Sequence, residues 1–328
     1  MAKMKHIFFK RRFIGLLAAL ILAAPVLWAS GQQPKAVAAG AENLKNEIVF
    51  VSDTQSPIFL ETLRLASDRN KEAMAKVLDR IVTEPDLAAV FMLGDLTSSG
   101  STDKKWRTID GFLGRLRNKA VPVFAALGNH DYWWSEKAAL DNFRKRFPGL
   151  TSSWYSIVIG PVEVIVLNSQ FKKLTDVENQ GQLAFYRSAL ARADADPAVK
   201  CILVACHNPP YTNSQVVDPS ATVRADFVPP FLGSKKGLLF LSGHAHASEH
   251  FLEGGKHFVV LGGGGGLLHP LRTEGNRYFP DLFPSRAPKR FYHFVTVRIE
   301  KTGLAVAFQL LKRDMSGFDP AGQFSIAW

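Results

Sequence analysis

Short apolar segments that end in metal-binding side chains constrain the fold of this chain most strongly. The segment before Gly128-Asn129-His130-Asp131 is rich in Val and Phe and too short for a helix, so it predicts a buried strand. Gly128 allows a sharp turn, and the next three side chains offer an amide oxygen, a ring nitrogen and a carboxylate. A single ending of this kind indicates only a turn.

Four further apolar segments end in the same way. They finish at Asp53, at Asp95, at His207 and at the pair His244 and His246. Open α/β sheets bind their ligands at the carboxyl ends of their strands, so we expect all five endings to meet at one site. Turn chemistry alone does not account for five endings that carry Asp, Asn or His. The sequence therefore predicts a fold that is organised around a metal site.

The order of the segments predicts the fold class. Strands alternate with helices early in the chain, and strands follow one another late in the chain. This order indicates an α/β (α+β) four-layer sandwich, in which two packed mixed β-sheets are flanked by helices and the metal site lies at the C-terminal ends of the strands. The expected segments are helices at 67–84, around 106–116, at 133–147 and at 180–193, a hairpin at 154–159 and 162–167, and late strands at 250–252, 258–261, 291–298 and 304–311.

The first 29 residues differ in composition from the rest of the chain. Five Lys and Arg side chains between Lys3 and Arg12 precede a 17-residue uncharged segment that ends in small residues. This pattern predicts a signal peptide, and hence an exported protein that is periplasmic or extracellular. The uncharged segment also reaches the lower limit of about 17–25 residues for a membrane span, so an N-terminal membrane anchor is the alternative. After it we expect a flexible lead-in over 30–45 and one domain over 46–328.

Composition bounds the class of partner. The chain is 47% hydrophobic and 21% charged, as in an ordinary globular protein. Its formal net charge of +11 falls to +6 when the five cations of the N-terminal segment are left out, which suits an anionic substrate. No basic stripe interleaved with aromatic residues indicates a nucleic-acid partner. Cys201 and Cys206 are five residues apart in one strand, so they face opposite sides and are expected to be buried free thiols.

The side chains at the strand ends favour transition metals. Asp, Asn and His offer oxygen and nitrogen ligands, which suit Mn, Fe, Zn or Co better than Ca or Mg alone. The set is larger than one tetrahedral ion needs, but two ions about 3.5–4 Å apart that share a carboxylate would use it. Such a dinuclear metal centre activates a bridging hydroxide and orients a phosphoryl group for in-line attack on phosphorus. His130 follows Asn129 and is the candidate acid for the leaving oxygen.

The order and spacing of these motifs resemble those of the calcineurin-like metallophosphoesterase superfamily. The motifs are Asp53-x-Gln55, Gly94-Asp95, Gly128-Asn129-His130-Asp131, His207 and Gly243-His244-x-His246. The resemblance implies a metal-dependent phosphoester hydrolase that acts on a small phosphorylated substrate and uses two divalent or trivalent transition-metal ions, such as Mn, Fe or Zn. It also implies that Asp95 bridges both ions and that His130 is catalytic without binding metal. The remaining implied ligands are Asp53 and His246 for one ion, and Asn129, His207 and His244 for the other.

Gln55 departs from the pattern of the superfamily, which usually has His at this position. A Gln side chain binds a metal only through its carbonyl oxygen, and more weakly than an imidazole does. Gln55 is therefore either a metal ligand or a hydrogen-bond partner of one. The departure supports an alternative function, a catalytically weakened phospho-ligand binding protein on the same fold.

Three further features lie next to the motifs in sequence. Tyr211 follows His207 closely and is a candidate substrate-binding residue, in a proline-punctuated segment, 208–236, that is expected to be a long loop and a wall of the substrate pocket. Asp131 is expected to cap the next helix rather than to orient His130. Five consecutive glycines at 262–266 indicate a close backbone approach near the site.

Overall fold

The computed structural model describes residues 35–37, 45–57 and 69–328 of the protein. The predicted signal peptide or anchor, and most of the predicted lead-in, lie outside these residues. Within the described ranges, no helix is long and apolar enough to cross a membrane. A short strand at Lys35–Val37 falls in the segment that the sequence predicts as a flexible lead-in.

The described chain contains thirteen strands and six α-helices. The strands are β1 Lys35–Val37, β2 Glu47–Val51, β3 Leu87–Leu93, β4 Val123–Ala126, β5 Tyr155–Ile159, β6 Val162–Val166, β7 Cys201–Cys206, β8 Gly237–Ser242, β9 Ser248–Glu253, β10 Lys256–Leu261, β11 His293–Glu300, β12 Gly303–Leu311 and β13 Phe318–Ala327. The helices are α1 Asn70–Val82, α2 Arg107–Asn118, α3 Glu136–Arg146, α4 Asp176–Ala195, α5 Ala221–Asp226 and α6 Val228–Gly233. Short 3₁₀ helices lie at Asp103–Trp106, His130–Tyr132 and Phe171–Lys173.

Two mixed β-sheets form the centre of the fold. One has seven strands in the order β1-β5-β6-β7-β8-β10-β9, and the other has six strands in the order β13-β12-β11-β2-β3-β4. Strands β2, β3 and β4 run parallel to one another, and so do β6, β7 and β8. Parallel neighbours end at the same edge of their sheet, so each sheet presents several carboxyl ends together.

The two sheets pack face to face with helices outside. Ile48 and Phe50 of β2 lie in the core between the sheets, whereas Val49 and Val51 lie under the helices, as the two-residue period of a strand requires. Helices α1 and α2 cover the six-stranded sheet, and α4, α5 and α6 cover the seven-stranded sheet. The layers are helix, sheet, sheet and helix, so the predicted four-layer sandwich is confirmed.

Most of the predicted segments are present, with different ends. Strands β5 and β6 confirm the hairpin, and β9 to β12 confirm the four late strands. Helix α4 begins four residues earlier than predicted because Thr175 and Glu178 form a capping box. Helix α3 begins three residues later than predicted because Ser135 caps it. Strand β13 has no counterpart among the predictions.

The prediction of a long loop over 208–236 is wrong in its second half, which contains α5 and α6. Ser220 caps α5 by accepting a hydrogen bond from the backbone N–H of Val223. Pro229 and Pro230 lie in the first turn of α6. Backbone N–H groups in the first turn make no hydrogen bond within the helix, so proline, which lacks this group, is tolerated there. Proline in this segment therefore starts a helix instead of preventing one.

The two cysteines lie on opposite sides of β7. Cys201 packs between the sheets and Cys206 packs under the outer helices, and both are buried free thiols. The prediction for this pair is confirmed.

Candidate metal centre

The ends of five strands, drawn from both sheets, build the site. Strands β2, β3 and β4 are followed by Asp53, Asp95 and Asn129, and strands β7 and β8 are followed by His207 and His244. The strands of each set are parallel within their sheet, and the two sheets pack against each other. These side chains therefore meet at one edge of the sandwich.

Three of these residues have left-handed backbone conformations. The φ angle is 59° at Asp53, 50° at Asp95 and 63° at His244. This region is uncommon for residues other than Gly, and such conformations concentrate at functional sites. The backbone N–H of His244 donates to Asp53 Oδ2 at 2.8 Å, which ties the turns after β2 and β8 together across the two sheets.

Glycines let the backbone come close to the candidate ligands. A Cβ atom on Gly128 would lie 2.2 Å from Asp95 Oδ1, and one on Gly266 would lie 2.4 Å from His246 Cε1. Neither distance is compatible with a side chain larger than hydrogen. A Cβ atom on any of the other glycines of the 262–266 run would likewise clash, with atoms of Ala245, His293, Ser52 or Met74. The run is a close backbone approach beside the site, as the sequence predicts.

Asn129, His207 and His244 form one group of candidate ligands, the asparagine group. His207 Nδ1 donates to the backbone oxygen of Leu93 at 2.9 Å, so Nε2 of the neutral ring carries a lone pair. This Nε2 lies 3.3 Å from Asn129 Oδ1 and 3.4 Å from Asp95 Oδ2. Ligand atoms of Asp95, His207 and His244 all lie within 4.8 Å of one another. Electronegative atoms this close together repel unless a proton or a metal cation lies between them.

Asp53, Gln55 and His246 form a second group, the glutamine group. His246 Nδ1 donates to the backbone oxygen of Leu267 at 2.8 Å, which again leaves Nε2 as an acceptor. This Nε2 lies 3.3 Å from Asp53 Oδ1 and 3.3 Å from Gln55 Nε2. Gln55 Nε2 in turn lies 3.5 Å from Asp95 Oδ2. Asp95 therefore contacts both groups.

Two buried oxygen atoms show that the glutamine group fits a metal ion. Among the described residues, Gln55 Oε1 has no hydrogen-bond partner, and Asp53 Oδ1 has one only when His246 Nε2, 3.3 Å away, carries a proton. Buried polar atoms are nearly always paired, so these two oxygens in one cluster indicate a site for a proton or a metal cation. Rotation of the Gln55 amide exchanges its oxygen and nitrogen, so the side chain can donate a hydrogen bond or offer its oxygen to a cation.

The charges of the site favour a cation as well. Burial disfavours the ionised ring of His207, but the charge and hydrogen bond of Asp95, the charge of Asp53 and the backbone oxygen of Leu93 together outweigh burial and raise the pKa of His207 to about 9. Burial likewise opposes ionisation of Asp95, but the nearby histidines, His207 first, hold the pKa of its carboxyl well below the usual range. Burial and the positive charge of His207 lower the pKa of His244 to about 4. A metal ion would displace protons held in this cluster.

His130 lies beside the candidate ligands and packs on an aromatic ring. Its backbone N–H donates to Asp95 Oδ1 at 2.8 Å, and its Nε2 lies 3.8 Å from Asp95 Oδ2. The imidazole stacks on Trp133, with ring centroids 3.8 Å apart and planes inclined by 28°. This contact holds the ring in one orientation next to the ligand groups.

Asp131 does not cap the next helix, so that prediction is wrong. Its Oδ1 accepts the backbone N–H of Leu96 at 3.0 Å, and its Oδ2 accepts that of Gly128 at 2.9 Å. Ser135 caps α3 instead. Burial, together with the negative charge of Asp95, raises the pKa of Asp131 to about 8. Asp131 therefore braces the turns after β3 and β4 against each other.

Tyr211 lies in the core under the outer helices. It is 8% exposed, and its ring meets those of Phe258 and Phe279 edge to face at 4.9 Å and 5.1 Å. This is the environment of a packing residue and not that of a substrate contact. Tyr211 is close to His207 in sequence, but the proline segment between them turns the chain so that the Tyr211 ring enters the apolar core. Its position in the sequence alone does not reveal this.

His269 lies at the site, and the sequence analysis missed it. Its ring stacks on His246 with centroids 4.3 Å apart, and its Nδ1 accepts the backbone N–H of His246 at 3.2 Å. Ser214 Oγ lies 3.2 Å from the same Nδ1. His269 does not directly follow a strand, because the glycine run separates it from β10, and these neighbouring glycines are the one sequence feature that points to it.

The calcineurin-like phosphoesterase family matches residues 47–248 of the chain. Two solved structures illustrate the shared fold. GAP50, the anchor in the inner membrane complex of Plasmodium, is 13% identical with a TM-score of 0.59, over 84% of this chain and 88% of that chain. A dimetal phosphatase from Danio rerio is 13% identical with a TM-score of 0.56, over 86% of this chain and 99% of that chain. No curated protein matches the chain.

The fold and the site define a metal-dependent phosphoester hydrolase. The chain belongs to the calcineurin-like phosphoesterase family, whose matched region contains every candidate ligand named above. The cluster of Asp95, His207 and His244 offers the oxygen and nitrogen ligands that divalent metal ions bind. The predicted family and class of enzyme are confirmed.

Proposed function

We propose that the protein hydrolyses a small phosphorylated substrate with a dinuclear metal centre. One observation carries the proposal: Asp95 Oδ2 lies 3.4 Å from His207 Nε2 and 3.5 Å from Gln55 Nε2, so a single carboxylate reaches both ligand groups. The asparagine group would hold one ion and the glutamine group the other. Divalent or trivalent Mn, Fe or Zn suits this set of oxygen and nitrogen donors.

The side chains of this centre have separate roles in the proposed reaction. When bound, the two ions would neutralise the phosphoryl oxygens and supply an activated water for in-line attack on phosphorus. Asp95 holds the two ligand groups together and, through the backbone N–H of His130, fixes the turn that carries Asn129. His130 Nε2 donates a proton to the leaving oxygen, and Trp133 keeps that ring in place.

Removal and return of metal tests the proposal. Protein stripped with a chelator and dialysed is expected to lose hydrolysis of phosphomonoesters, phosphodiesters or pyrophosphates, whichever class it accepts. Addition of Mn²⁺, Fe²⁺ or Zn²⁺ is expected to restore it, because the donors favour these ions. Turnover that survives chelation would contradict the proposal, and so would an absence of turnover with every ion and substrate class.

We also propose that the chain is exported. The basic, apolar and small-residue order of its first 29 residues supports a signal peptide, and the length of the apolar part supports an anchor as the alternative. The intact mass of the protein in each cell fraction separates the two. A mass lower by the N-terminal segment in the exported fraction indicates cleavage, and the complete chain in the membrane fraction indicates an anchor. Complete chain in the cytosol alone would contradict export.

A further inference from the structure

Trp134 has a backbone conformation that suits glycine better than tryptophan. Trp133 has φ −62° and ψ 143°, and Trp134 has φ 73°. The backbone N–H of Ser135 donates to the Trp133 oxygen two residues earlier, so Trp134 is the central residue of a γ-turn of the rare, strained form that has a positive φ. A bulky residue in this region is an outlier, and outliers of this kind concentrate at functional sites.

The same residue exposes its side chain. Trp134 is 87% exposed, the highest value among the exposed large apolar side chains of the described residues. Its ring therefore contributes little to the core, and packing does not explain why a strained turn carries tryptophan. The described residues therefore give no packing reason for tryptophan in this turn, and the exposed aromatic ring is accessible to a ligand.

The turn that carries Trp134 begins beside the candidate catalytic histidine. Trp133 stacks on His130, the residue proposed to protonate the leaving group. The backbone N–H of Trp133 donates to the His130 oxygen at 3.2 Å, and that of Ser135 donates to the Trp133 oxygen at 3.2 Å. Ser135 also caps α3. The turn is therefore held at both ends, with Trp133 against the His130 imidazole.

We propose that Trp133 and Trp134, the tryptophan pair, bind a planar aromatic ring carried by the leaving group of the phosphoester. The inference rests on the proposed function, because it takes the leaving-group side from the role of His130. Aromatic side chains stack on flat rings through dispersion and complementary quadrupoles, and this contact tolerates many ring types. The substrate class is thus a nucleoside or aryl phosphoester rather than an alkyl or sugar phosphoester.

The variant Trp134→Gly tests the inference without weakening the fold. Gly accepts a φ of 73° without strain, so the melting temperature is expected to stay the same or rise. The value of kcat/KM is compared for adenosine 5′-monophosphate and ribose 5-phosphate, which share the reacting ester and differ in the base. We expect a loss on the order of tenfold for the nucleotide, as for loss of one stacked base, and an unchanged value for the sugar phosphate.

Controls separate stacking from other effects. Trp134→Phe keeps a stacking ring and is expected to retain most of the preference for the nucleotide. Leu252→Ala removes another exposed apolar side chain, 51% exposed on β9, and is expected to change neither substrate. Phenyl phosphate and ethyl phosphate form a second pair, in which a loss confined to phenyl phosphate indicates a simple aryl group and not a nucleobase.

Equal effects of Trp134→Gly on both members of each pair, or no effect on either, would overturn the inference while leaving the proposed function in place. Absence of turnover by the unmodified enzyme bears on the proposed function instead. In that case calorimetric binding of adenosine decides the inference. Affinity lowered on the order of tenfold by Trp134→Gly supports it, and unchanged affinity or no binding overturns it.

Discussion

The variant Asp95→Asn is expected to abolish metal-dependent phosphoester hydrolysis. Asp95 lies next to candidate ligand side chains of both groups, whereas Asp53 reaches the asparagine group only through the backbone N–H of His244. An amide in place of the Asp95 carboxylate removes the negative charge that two cations would share. Loss of a residue that merely supports a metal ligand already costs about 10–100-fold in metal affinity or activity, so loss of a shared ligand is expected to exceed that range. The measurements are kcat/KM with saturating Mn²⁺ and the metal content of the purified variant.

A matched variant shows whether the effect belongs to the site. Asp79→Asn makes the same chemical change on α1, where the carboxylate pairs with Arg115 and its side chain is 59% exposed. This variant is expected to keep both activity and metal. The amide introduced by Asp95→Asn retains an oxygen that can accept the N–H of His130, so the variant is expected to be folded but inactive. Activity close to that of the unmodified enzyme would show that the shared-carboxylate account is wrong.

The variant His130→Gln is expected to lower kcat by about 10²–10⁴-fold, the usual contribution of a general acid. The ring lies beside the ligand groups but is not one of the proposed ligands, so the metal content is expected to stay unchanged. The loss is expected to be smaller for substrates with acidic leaving groups, such as aryl phosphates, because these leave without a proton. Steady-state kinetics with leaving groups of graded pKa, together with metal analysis, measure both effects.

His257→Gln provides the control for this substitution. His257 lies near the start of β10, at the opposite end of that strand from the glycine run, and packs on Phe324. Its replacement is expected to leave kcat and the dependence on the leaving group unchanged. If His130→Gln instead lowered the metal content and affected all leaving groups equally, His130 would be a ligand or a structural residue and not the proton donor.

The positions of most site residues could be predicted from the sequence because parallel strands impose a simple geometry. Apolar segments too short for helices identify the strands, and a polar residue directly after such a strand must lie at the carboxyl edge of its sheet. Asp53, Asp95 and His207 meet in the structure for this reason. The sandwich itself follows from the order of helices and strands, which differs between the two halves of the chain.

Features that depend on contacts distant in sequence could not be predicted. Strand β13 contains Asp319-Pro-Ala-Gly322, a sequence that is typical of a turn. Proline and glycine are tolerated in this strand because it lies at the edge of the six-stranded sheet. Asp131 is bound by N–H groups from two different turns, and His269 is carried to the site by the glycine run. Tyr211 shows the converse, because a residue four positions from His207 enters the core instead of the site.

Gln55 is the residue on which the dinuclear account depends most. Its amide contacts both His246 and Asp95, and its buried oxygen has no hydrogen-bond partner among the described residues. A single ion in the asparagine group would leave the buried Gln55 oxygen without a partner, whereas a second ion in the glutamine group would bind it. The alternative, a weakened phospho-ligand binding protein, requires that the glutamine group bind its ion poorly or not at all.

The metal content per chain decides whether the site holds two ions or one. Protein is purified without chelator after supplementation with Mn or Fe, and the unmodified chain is measured beside His207→Ala. The dinuclear account predicts two equivalents in the unmodified chain and fewer than two in the variant. One equivalent that disappears completely in His207→Ala would contradict it, because only the asparagine group would then hold an ion.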